Sequence, residues 1–310
     1  MITVTVANDE LYDPLVANPV DGVRVVRWDL RAPLPVPVDE VDVVVIPHYF
    51  VRADGFAVLH DLPNLSVVQL PSAGFEYAVD LVPPAAALCN GRGVHDAGTA
   101  ELAVGMLLAV QRGIDESARA MTEHRWAPVF RSSLADRRVM VLGYGAVGAA
   151  IARRLDAFEV DVVPVATTAR DEDGRHVHGM DELASLLPTV DAVVLIVPLT
   201  PGTAGLVDAD FLAALPDGAL VVNMARGKVV DTDALLAELR SGRLRAALDV
   251  TDPEPLPDDH PLWDAPNLLV TPHVGGYTNA THPRFEALVR RQLETLVAGG
   301  APLNVVRPAR

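Results

Sequence analysis

The chain has 310 residues, half of them apolar, and a formal net charge of -16. This length suffices for one large domain or two ordinary ones, each with its own core. The charge repels phosphate backbones and anionic membranes, and no basic patch offsets it, so we expect neither nucleic acid nor a membrane as partner. Cys89 is the single cysteine, no signal peptide precedes the first strand, and no apolar run is long enough to span a membrane. A cytoplasmic globular enzyme is the prediction.

Short valine-rich runs spaced by Pro, Asp and Asn dominate the first part of the chain. They are "ITVTVA", "VRVVRW", "VDVVVIP" and "LSVVQL", and they are typical of strands in a mostly parallel sheet covered on both faces. Residues 1 to about 95 are therefore predicted to form a first α/β unit. The stretch 98–124 has a helical pattern over its whole length, and we expect one long helix that crosses between domains.

A second α/β series follows Trp126. Its strand-like segments are "RRVMVL", "VDVVPV", "VDAVVLIVP", "GALVVNMA", "RAALDV" and "NLLVTPH", with amphipathic stretches between some of them. Strands that alternate with helices predict a doubly wound parallel sheet. The last helix-like segment ends on glycines, and "PLNVV" after it is expected to return to the first unit.

The segment "VMVLGYGAVGAAIARRL" joins an apolar strand to a helix through Gly143, Gly145 and Gly148. In this Gly-x-Gly-x-x-Gly pattern the first glycine allows a tight turn, the second lets the backbone approach a pyrophosphate, and the third lets helix and strand pack closely. The helix N-terminus then faces the anion. The pattern favours a dinucleotide site over the alternative of a turn, a cap and a packing glycine that bind nothing.

The ribose-binding position departs from the usual NAD pattern. An Asp or Glu about 20 residues past the glycines normally accepts hydrogen bonds from the ribose hydroxyls. Here Ala166 stands there, followed by Thr167, Thr168 and Arg170. Hydroxyl donors and a cation suit a 2'-phosphate better than a diol, so NADP is the preferred cofactor and NAD the second choice. Arg170 as a plain surface charge remains the alternative.

Three later residues have the chemistry of hydride transfer to a carbonyl. Arg226 follows a valine-rich strand, and its planar guanidinium can hold a carboxylate or polarise a carbonyl oxygen. Glu254 lies between two prolines, and His273 ends another strand. A histidine oriented by a carboxylate can exchange a proton with an alcohol or a carbonyl near neutral pH. Taken singly, Arg226 could be a surface arginine, and a histidine after a strand is more often structural than catalytic.

The order of these motifs resembles the D-isomer-specific 2-hydroxyacid dehydrogenase family, and among its members the glyoxylate/hydroxypyruvate reductases. The segments that carry the resemblance are the glycine motif, "NMARGKVVD", "ALDVTDPEPL" and "TPHVGG", and the likeness runs from about residue 70 to the C-terminus. It implies a small 2-keto acid or 2-hydroxy acid as substrate. Arg226 would bind this substrate, His273 would be the general acid/base, and Glu254 would hold its imidazole.

The resemblance also implies the architecture and the remaining site residues. A Rossmann nucleotide-binding domain, residues 98–276, would be inserted into a flavodoxin-like substrate domain made of residues 1–97 and 277–310, with the active site in the cleft between them and with homodimerisation through the nucleotide domain. The further residues expected at the cofactor are Thr99, Ala146, Val147, Pro198, Thr203 and Asp249. Those expected at the substrate are Ser72, Ala73, Gly74 and Tyr49.

Two alternatives stay open. Transcriptional corepressors resemble the same family, so the chain could sense a dinucleotide without turnover. Tyr49, in the loop "PHYFVR", could line an aromatic substrate pocket or equally pack the first sheet. His176 and His178 have no third ligand nearby in the sequence, so we expect a solvated surface there and no metal site.

Overall fold

The computed structural model describes residues 1–47, 53–172 and 174–310. They form two compact units, which we call unit 1 (Met1–His95 with Asn279–Arg310) and unit 2 (Asp96–Thr278). Among the described residues, no helix combines the length and the apolar character that a membrane span requires.

Most successive strands among the described residues are separated by an α-helix or a short 3-10 helix. The strands are β1 (Ile2–Val6), β2 (Val23–Arg27), β3 (Val43–Val45), β4 (Val67–Gln69), β5 (Ala87–Cys89), β6 (Arg138–Leu142), β7 (Asp161–Val165), β8 (Arg170–Glu172), β9 (Arg175–Val177), β10 (Ala192–Leu195), β11 (Leu220–Asn223), β12 (Arg245–Leu248), β13 (Leu268–Val270) and β14 (Val305–Arg307). The α-helices are α1 (Asp9–Ala17), α2 (Asp96–Arg112), α3 (Ile114–Thr122), α4 (Ala146–Leu155), α5 (Leu183–Leu186), α6 (Ala209–Ala214), α7 (Thr232–Ser241) and α8 (Thr281–Val297).

Unit 1 is built on a six-stranded sheet with the order β2-β1-β3-β4-β5-β14. Its first five strands are parallel, and their order is that of flavodoxin-like folds. The last strand runs antiparallel to β5, where Val305 pairs with Cys89. The predicted return of the C-terminal segment to the first unit is therefore confirmed.

Unit 2 is built on a six-stranded sheet with the order β7-β6-β10-β11-β12-β13, and every neighbouring pair is parallel. The strand order reverses between β6 and β10, the switch point at which open α/β sheets bind ligands beyond the carboxyl ends of their strands. All four residues of β10 and all four of β11 are buried, because both faces of the sheet are covered. The predicted α/β class with two doubly wound parallel sheets is confirmed.

Two features of unit 2 differ from the sequence-based expectation. The helix predicted over 98–124 is two helices, because Gly113 between them adopts a left-handed backbone with φ +63°. In addition, the chain after β7 forms the antiparallel hairpin β8–β9, in which Asp171 pairs with His176. This hairpin was not predicted from the sequence.

Candidate active site

The glycine turn follows β6 at the switch point. Gly143 has φ +113°, and a Cβ there would lie 2.6 Å from the carbonyl carbon of Ile196 at the end of β10. A Cβ on Gly148 would lie 2.2 Å from the carbonyl oxygen of Gly143. Both positions therefore require glycine because of the protein's own packing.

Gly145 is different, because it meets no such obstacle. A Cβ at this position would have no atom within 4 Å, and the backbone φ of -99° is open to any residue. Gly145 is the N-cap of α4, so the open space lies where the first backbone N–H groups of the helix lack intrahelical partners. Ala146 and Val147 begin this helix. The turn thus fits the pyrophosphate of a dinucleotide, for which the helix N-terminus supplies donors.

Arg170 lies beside this turn. Its Nη2 donates to the backbone oxygen of Tyr144 at 2.9 Å, and it pairs with Glu172 of the same hairpin at 2.6 Å. Thr167 is exposed in the connection before the hairpin, and Ala166 stands where an NAD-type site has its acid. The structure therefore places the guanidinium of Arg170 and the carboxylate of Glu172 next to the glycine motif. The carboxylate was not predicted from the sequence.

Pro198 and Thr203 lie in the loop that follows β10. The neighbour of β10 in the sheet is β6, which leads into the glycine turn. The hydroxyl of Thr203 donates to the backbone oxygen of Pro198 at 2.6 Å and accepts from the amide of Thr200 at 2.8 Å. These bonds fix a compact loop at the same edge of the sheet as the glycine turn.

Arg226 follows β11 at this edge. The buried side chain of Asn223 accepts from the amide of Ala225 and donates to the carbonyl oxygen of Arg226, each at 3.0 Å, which fixes the turn. A Cβ on Gly227 would lie 1.9 Å from the carbonyl oxygen of Thr251, so the Arg226 turn packs directly against the loop after β12. That loop continues to Glu254.

His273 and Glu254 form an ion pair. Nδ1 of His273 lies 2.5 Å from Oε1 of Glu254. The two residues reach each other because β12 and β13 are neighbours in the sheet and their following loops leave from the same edge. Nδ1 is thereby engaged with the carboxylate, so Nε2 is the nitrogen that can exchange a proton with a substrate.

The charges at the site shift two pKa values in opposite directions. The hydrogen bond to Glu254 raises the pKa of His273 above its ordinary value, although burial and the positive charge of Arg226 lower it. The same hydrogen bond lowers the pKa of Glu254, to which Arg226 also contributes. The pair thus favours an imidazolium on His273 beside a carboxylate on Glu254, and an imidazolium can donate a proton.

Asp249 organises the loop that carries His273. It is only 3% exposed, and its carboxylate accepts from the hydroxyl of Thr271 at 2.6 Å and from the amides of Val274 and Gly275 at 2.9 Å each. Its carbonyl oxygen accepts from the amide of His273 at 2.8 Å. Asp249 therefore fixes the backbone of His273, whose φ is +54°.

Thr99, expected at the cofactor, lies near Asp249. A Cβ on Gly275 would lie 2.9 Å from Oδ2 of Asp249 and 3.5 Å from Cγ2 of Thr99. The start of α2 is therefore packed against the loop that carries the histidine.

The residues expected at the substrate lie in unit 1 or outside the described residues. The loop of Ser72, Ala73 and Gly74 follows β4. The hydroxyl of Ser72 donates to the carbonyl oxygen of Gly74 at 2.7 Å, and Asn90 donates to that of Ala73 at 2.7 Å. Tyr49 lies outside the described residues.

One expectation from the sequence is wrong: His176 and His178 do have a third potential ligand nearby. Glu182 lies in the following helical turn, and its Oε2 is 2.8 Å from Nδ1 of His178. One donor atom from each of His176, His178 and Glu182 lies within 4.8 Å of the others. The signal in the sequence was the short spacing of four residues between His178 and Glu182, which a turn at Gly179 can bring together.

Three comparisons with known proteins place this chain. Residues 104–275 match the family model described as "D-isomer specific 2-hydroxyacid dehydrogenase, NAD binding domain". A glyoxylate reductase of Thermofilum pendens is 33% identical over 262 residues, which cover 80% of this chain and 77% of that protein. The chain belongs to the D-isomer-specific 2-hydroxyacid dehydrogenase family. It is thus an oxidoreductase with the NAD-binding domain of that family, and this domain falls within unit 2.

Solved structures of family members cover nearly the whole chain. A D-isomer-specific 2-hydroxyacid dehydrogenase of Xanthobacter autotrophicus Py2, in complex with NADPH and MES, is 32% identical with a TM-score of 0.82 and covers 98% of this chain and 97% of its own. An NADPH-dependent glyoxylate/hydroxypyruvate reductase of Sinorhizobium meliloti, in complex with NADP and sulfate, is 26% identical with a TM-score of 0.83 and covers 99% and 98%.

Proposed function

We propose that this dehydrogenase reduces small 2-keto acids of the glyoxylate and hydroxypyruvate type with NAD(P)H, and oxidises the corresponding 2-hydroxy acids in reverse. The observation that carries the proposal is the 2.5 Å pair of His273 and Glu254 at the sheet edge that also holds the turn of Arg226. The Thermofilum relative, described as a glyoxylate reductase, and the Sinorhizobium relative, described as a glyoxylate/hydroxypyruvate reductase, support the substrate class.

Each of the three residues has a distinct task in this reaction. A nicotinamide cofactor held at the glycine turn of residues 143–148 would supply the hydride for the carbonyl carbon of the substrate. Arg226 binds the keto acid through its planar guanidinium and stabilises the negative charge that develops on the keto oxygen. Protonated His273 delivers its Nε2 proton to that oxygen, and Glu254 keeps the imidazole oriented and charged.

For the cofactor we propose a preference for NADP over NAD. Arg170 is fixed beside the glycine turn by Tyr144, and neither Ala166 nor Thr167 presents a carboxylate that would repel a 2'-phosphate. Glu172 opposes this preference, since its carboxylate pairs with Arg170 and would compete with the phosphate. Two structures that resemble this chain were solved with NADPH or NADP, which supports the preference.

The remaining binding assignments are part of the same proposal. We place Gly143, Gly145, Ala146, Val147, Gly148, Pro198, Thr203, Thr99 and Asp249 at the cofactor. We place the loop of Ser72, Ala73 and Gly74 and the side chain of Tyr49 at the substrate.

A spectrophotometric screen tests the function directly. Each reduced cofactor is mixed with glyoxylate, hydroxypyruvate, pyruvate and bulkier 2-keto acids, and the loss of nicotinamide absorbance is followed. The expected result is turnover of the two smallest keto acids, faster with NADPH than with NADH. Binding of cofactor without oxidation by any keto acid would instead favour the dinucleotide sensor, an alternative for which none of the relatives described above gives support.

We also propose a homodimer and a cytoplasmic location. Support for the dimer comes from a run of exposed apolar side chains on α3 and the segment after it, in which Trp126 is 95% and Phe130 99% exposed. Exposed apolar surface of this kind is typical of subunit interfaces. In a dimer with a twofold axis, this patch on one copy would be covered by the same patch on the other copy.

A further inference from the structure

The hairpin of unit 2 and the turn after it bring three metal-ligand side chains together. His176 and His178 alternate along one face at the end of β9, while Val177 between them is fully buried on the other face. The two imidazole rings lie 4.7 Å apart, centroid to centroid, and are nearly perpendicular. Glu182 reaches the same point from the next helical turn.

The distances suit a single small ion. One donor atom of each of the three side chains lies within 4.8 Å of the others, and the closest contact, His178 Nδ1 to Glu182 Oε2, is 2.8 Å. Metal–ligand bonds of about 2.0–2.2 Å separate two ligands of a tetrahedral zinc ion by roughly 3.3–3.6 Å. When an ion binds, the 2.8 Å pair has to open and the more distant donor has to move closer; the side chain of His176 is 53% exposed.

A second set of contacts resembles the hydrogen bonds that commonly surround metal-binding side chains. Nδ1 of His176 is 3.1 Å from a carboxylate oxygen of Asp171, its partner in the hairpin. Oε1 of Glu182 accepts from the amide of Gly179 at 2.9 Å. Metal-bound histidines commonly donate their other ring N–H to a carboxylate, and ligating carboxylates are themselves hydrogen-bonded.

We propose that His176, His178 and Glu182 bind one divalent transition-metal ion of the zinc class. Two imidazoles and one carboxylate suit Zn²⁺, Co²⁺ and Ni²⁺, whereas Mg²⁺ and Ca²⁺ prefer oxygen ligands alone. His176 binds through Nε2, since its Nδ1 faces Asp171, and water completes the coordination. The net charge of -16 further favours a cation.

The ion has a structural consequence for the cofactor side of unit 2. It ties the end of β9 to the helical turn of Glu182, and Val177 of β9 is the strand partner of Arg170. Metal binding therefore stabilises the hairpin that holds Arg170 beside the glycine turn. A ligand that binds only the folded state raises the melting temperature.

The test uses the full-length chain without a polyhistidine tag, stripped of metal with a chelator. Co²⁺ is titrated while its visible ligand-field absorption is recorded, and Zn²⁺ binding is measured by calorimetry and by the shift in Tm. His176→Gln and Glu182→Gln each remove one proposed ligand, and Asp171→Asn removes the carboxylate that contacts His176. Asp181→Asn is the control, because it removes one negative charge from the residue next to Glu182.

The expected result is one ion per chain, with affinity reduced by ~10-fold or more in His176→Gln and Glu182→Gln, by a similar factor in Asp171→Asn, and unchanged in Asp181→Asn. The proposal would be overturned if the wild-type chain showed no saturable metal binding. It would also be overturned if saturable binding persisted in both His176→Gln and Glu182→Gln. Equal losses of metal affinity in Glu182→Gln and Asp181→Asn would overturn the proposal as well, because they would show that only nonspecific charge attraction holds the ion. If Glu182→Gln fails to fold, His176→Gln decides, because that side chain is 53% exposed.

Discussion

His273 and Glu254, nineteen residues apart in the chain, meet with Nδ1 and Oε1 2.5 Å from each other. They meet because β12 and β13 are parallel neighbours whose following loops leave the sheet at one edge. The pair fixes which imidazole nitrogen is available for proton exchange and raises the pKa of the imidazole.

The raised pKa of His273 predicts the pH dependence of the reaction. Keto acid reduction needs the protonated imidazole, so kcat/KM should fall as the pH rises through the pKa of His273, which lies above its ordinary value. In Glu254→Gln the pKa falls towards that ordinary value, and the descending limb should move to lower pH. Asp258→Asn, an exposed carboxylate in the same loop, is the control. If the descending limb of the pH profile of kcat/KM did not move in Glu254→Gln, a group other than His273 would control it.

Arg226 and His273 are predicted to be essential for turnover but not for folding. Arg226→Ala and His273→Ala should each lower kcat/KM by ~10²-fold or more, the usual loss when a group that stabilises developing charge or transfers a proton is removed. Arg226→Lys should recover only part, because an ammonium lacks the planar pair of donors. Melting temperatures and kinetics are compared with Arg240→Ala, an exposed arginine on α7. Either alanine variant with near-wild-type turnover would exclude that residue from the mechanism.

Substitution by alanine should affect cofactor affinity at Gly145 and folding stability at Gly148. Gly145→Ala has room for its methyl group, so stability should stay the same while cofactor affinity falls by ~10-fold or more, because the methyl group occupies the space assigned to the pyrophosphate. Gly148→Ala meets the carbonyl oxygen of Gly143, and overpacking of this kind costs about 1–3 kcal/mol of folding free energy. Thermal unfolding and cofactor titration measure both. Unchanged cofactor affinity in Gly145→Ala would argue against a dinucleotide at this turn.

Arg170 and Glu172 are predicted to set the cofactor preference. Hydrogen bonds to charged groups contribute ~1.5–3 kcal/mol, so Arg170→Ala should weaken NADPH binding by ~10- to 100-fold and leave NADH binding nearly unchanged. Glu172→Gln should strengthen NADPH binding, since it removes the carboxylate that pairs with Arg170. Kinetics with both cofactors decide. A wild-type enzyme that works better with NADH, or equal losses for both cofactors in Arg170→Ala, would refute the assignment.

The dimer proposal predicts that one apolar patch controls the oligomeric state. The double substitution Trp126→Ser and Phe130→Ser should convert the dimer to a monomer in sedimentation experiments, because it removes two nearly fully exposed aromatic side chains from the interface. Val16→Ser, which changes an exposed apolar residue on α1 of unit 1, should leave the dimer intact. A wild-type chain that sediments as a monomer would exclude this interface.

Much of the fold could be predicted from the sequence because its signals are local. Valine-rich runs that alternate with amphipathic segments indicate parallel strands with helices between them, and the glycine spacing indicates a strand, a tight turn and a helix. The split of the helix at Gly113 and the hairpin β8–β9 were missed, because a single glycine in a helical pattern is often tolerated and short polar strands have no hydrophobic period.

The sequence by itself determined the residue types at the site: glycines where backbones approach each other, and an arginine, a glutamate and a histidine after strands of one sheet. Only the tertiary structure decided the partnerships. Strand order places the loops of Glu254 and His273 side by side and makes Asp249 the support of the histidine loop. It also brings the side chain of Arg170 to the backbone oxygen of Tyr144, 26 residues earlier in the chain. Contacts of this kind depend on register and on which loops share an edge, and both are fixed by packing between distant parts of the chain.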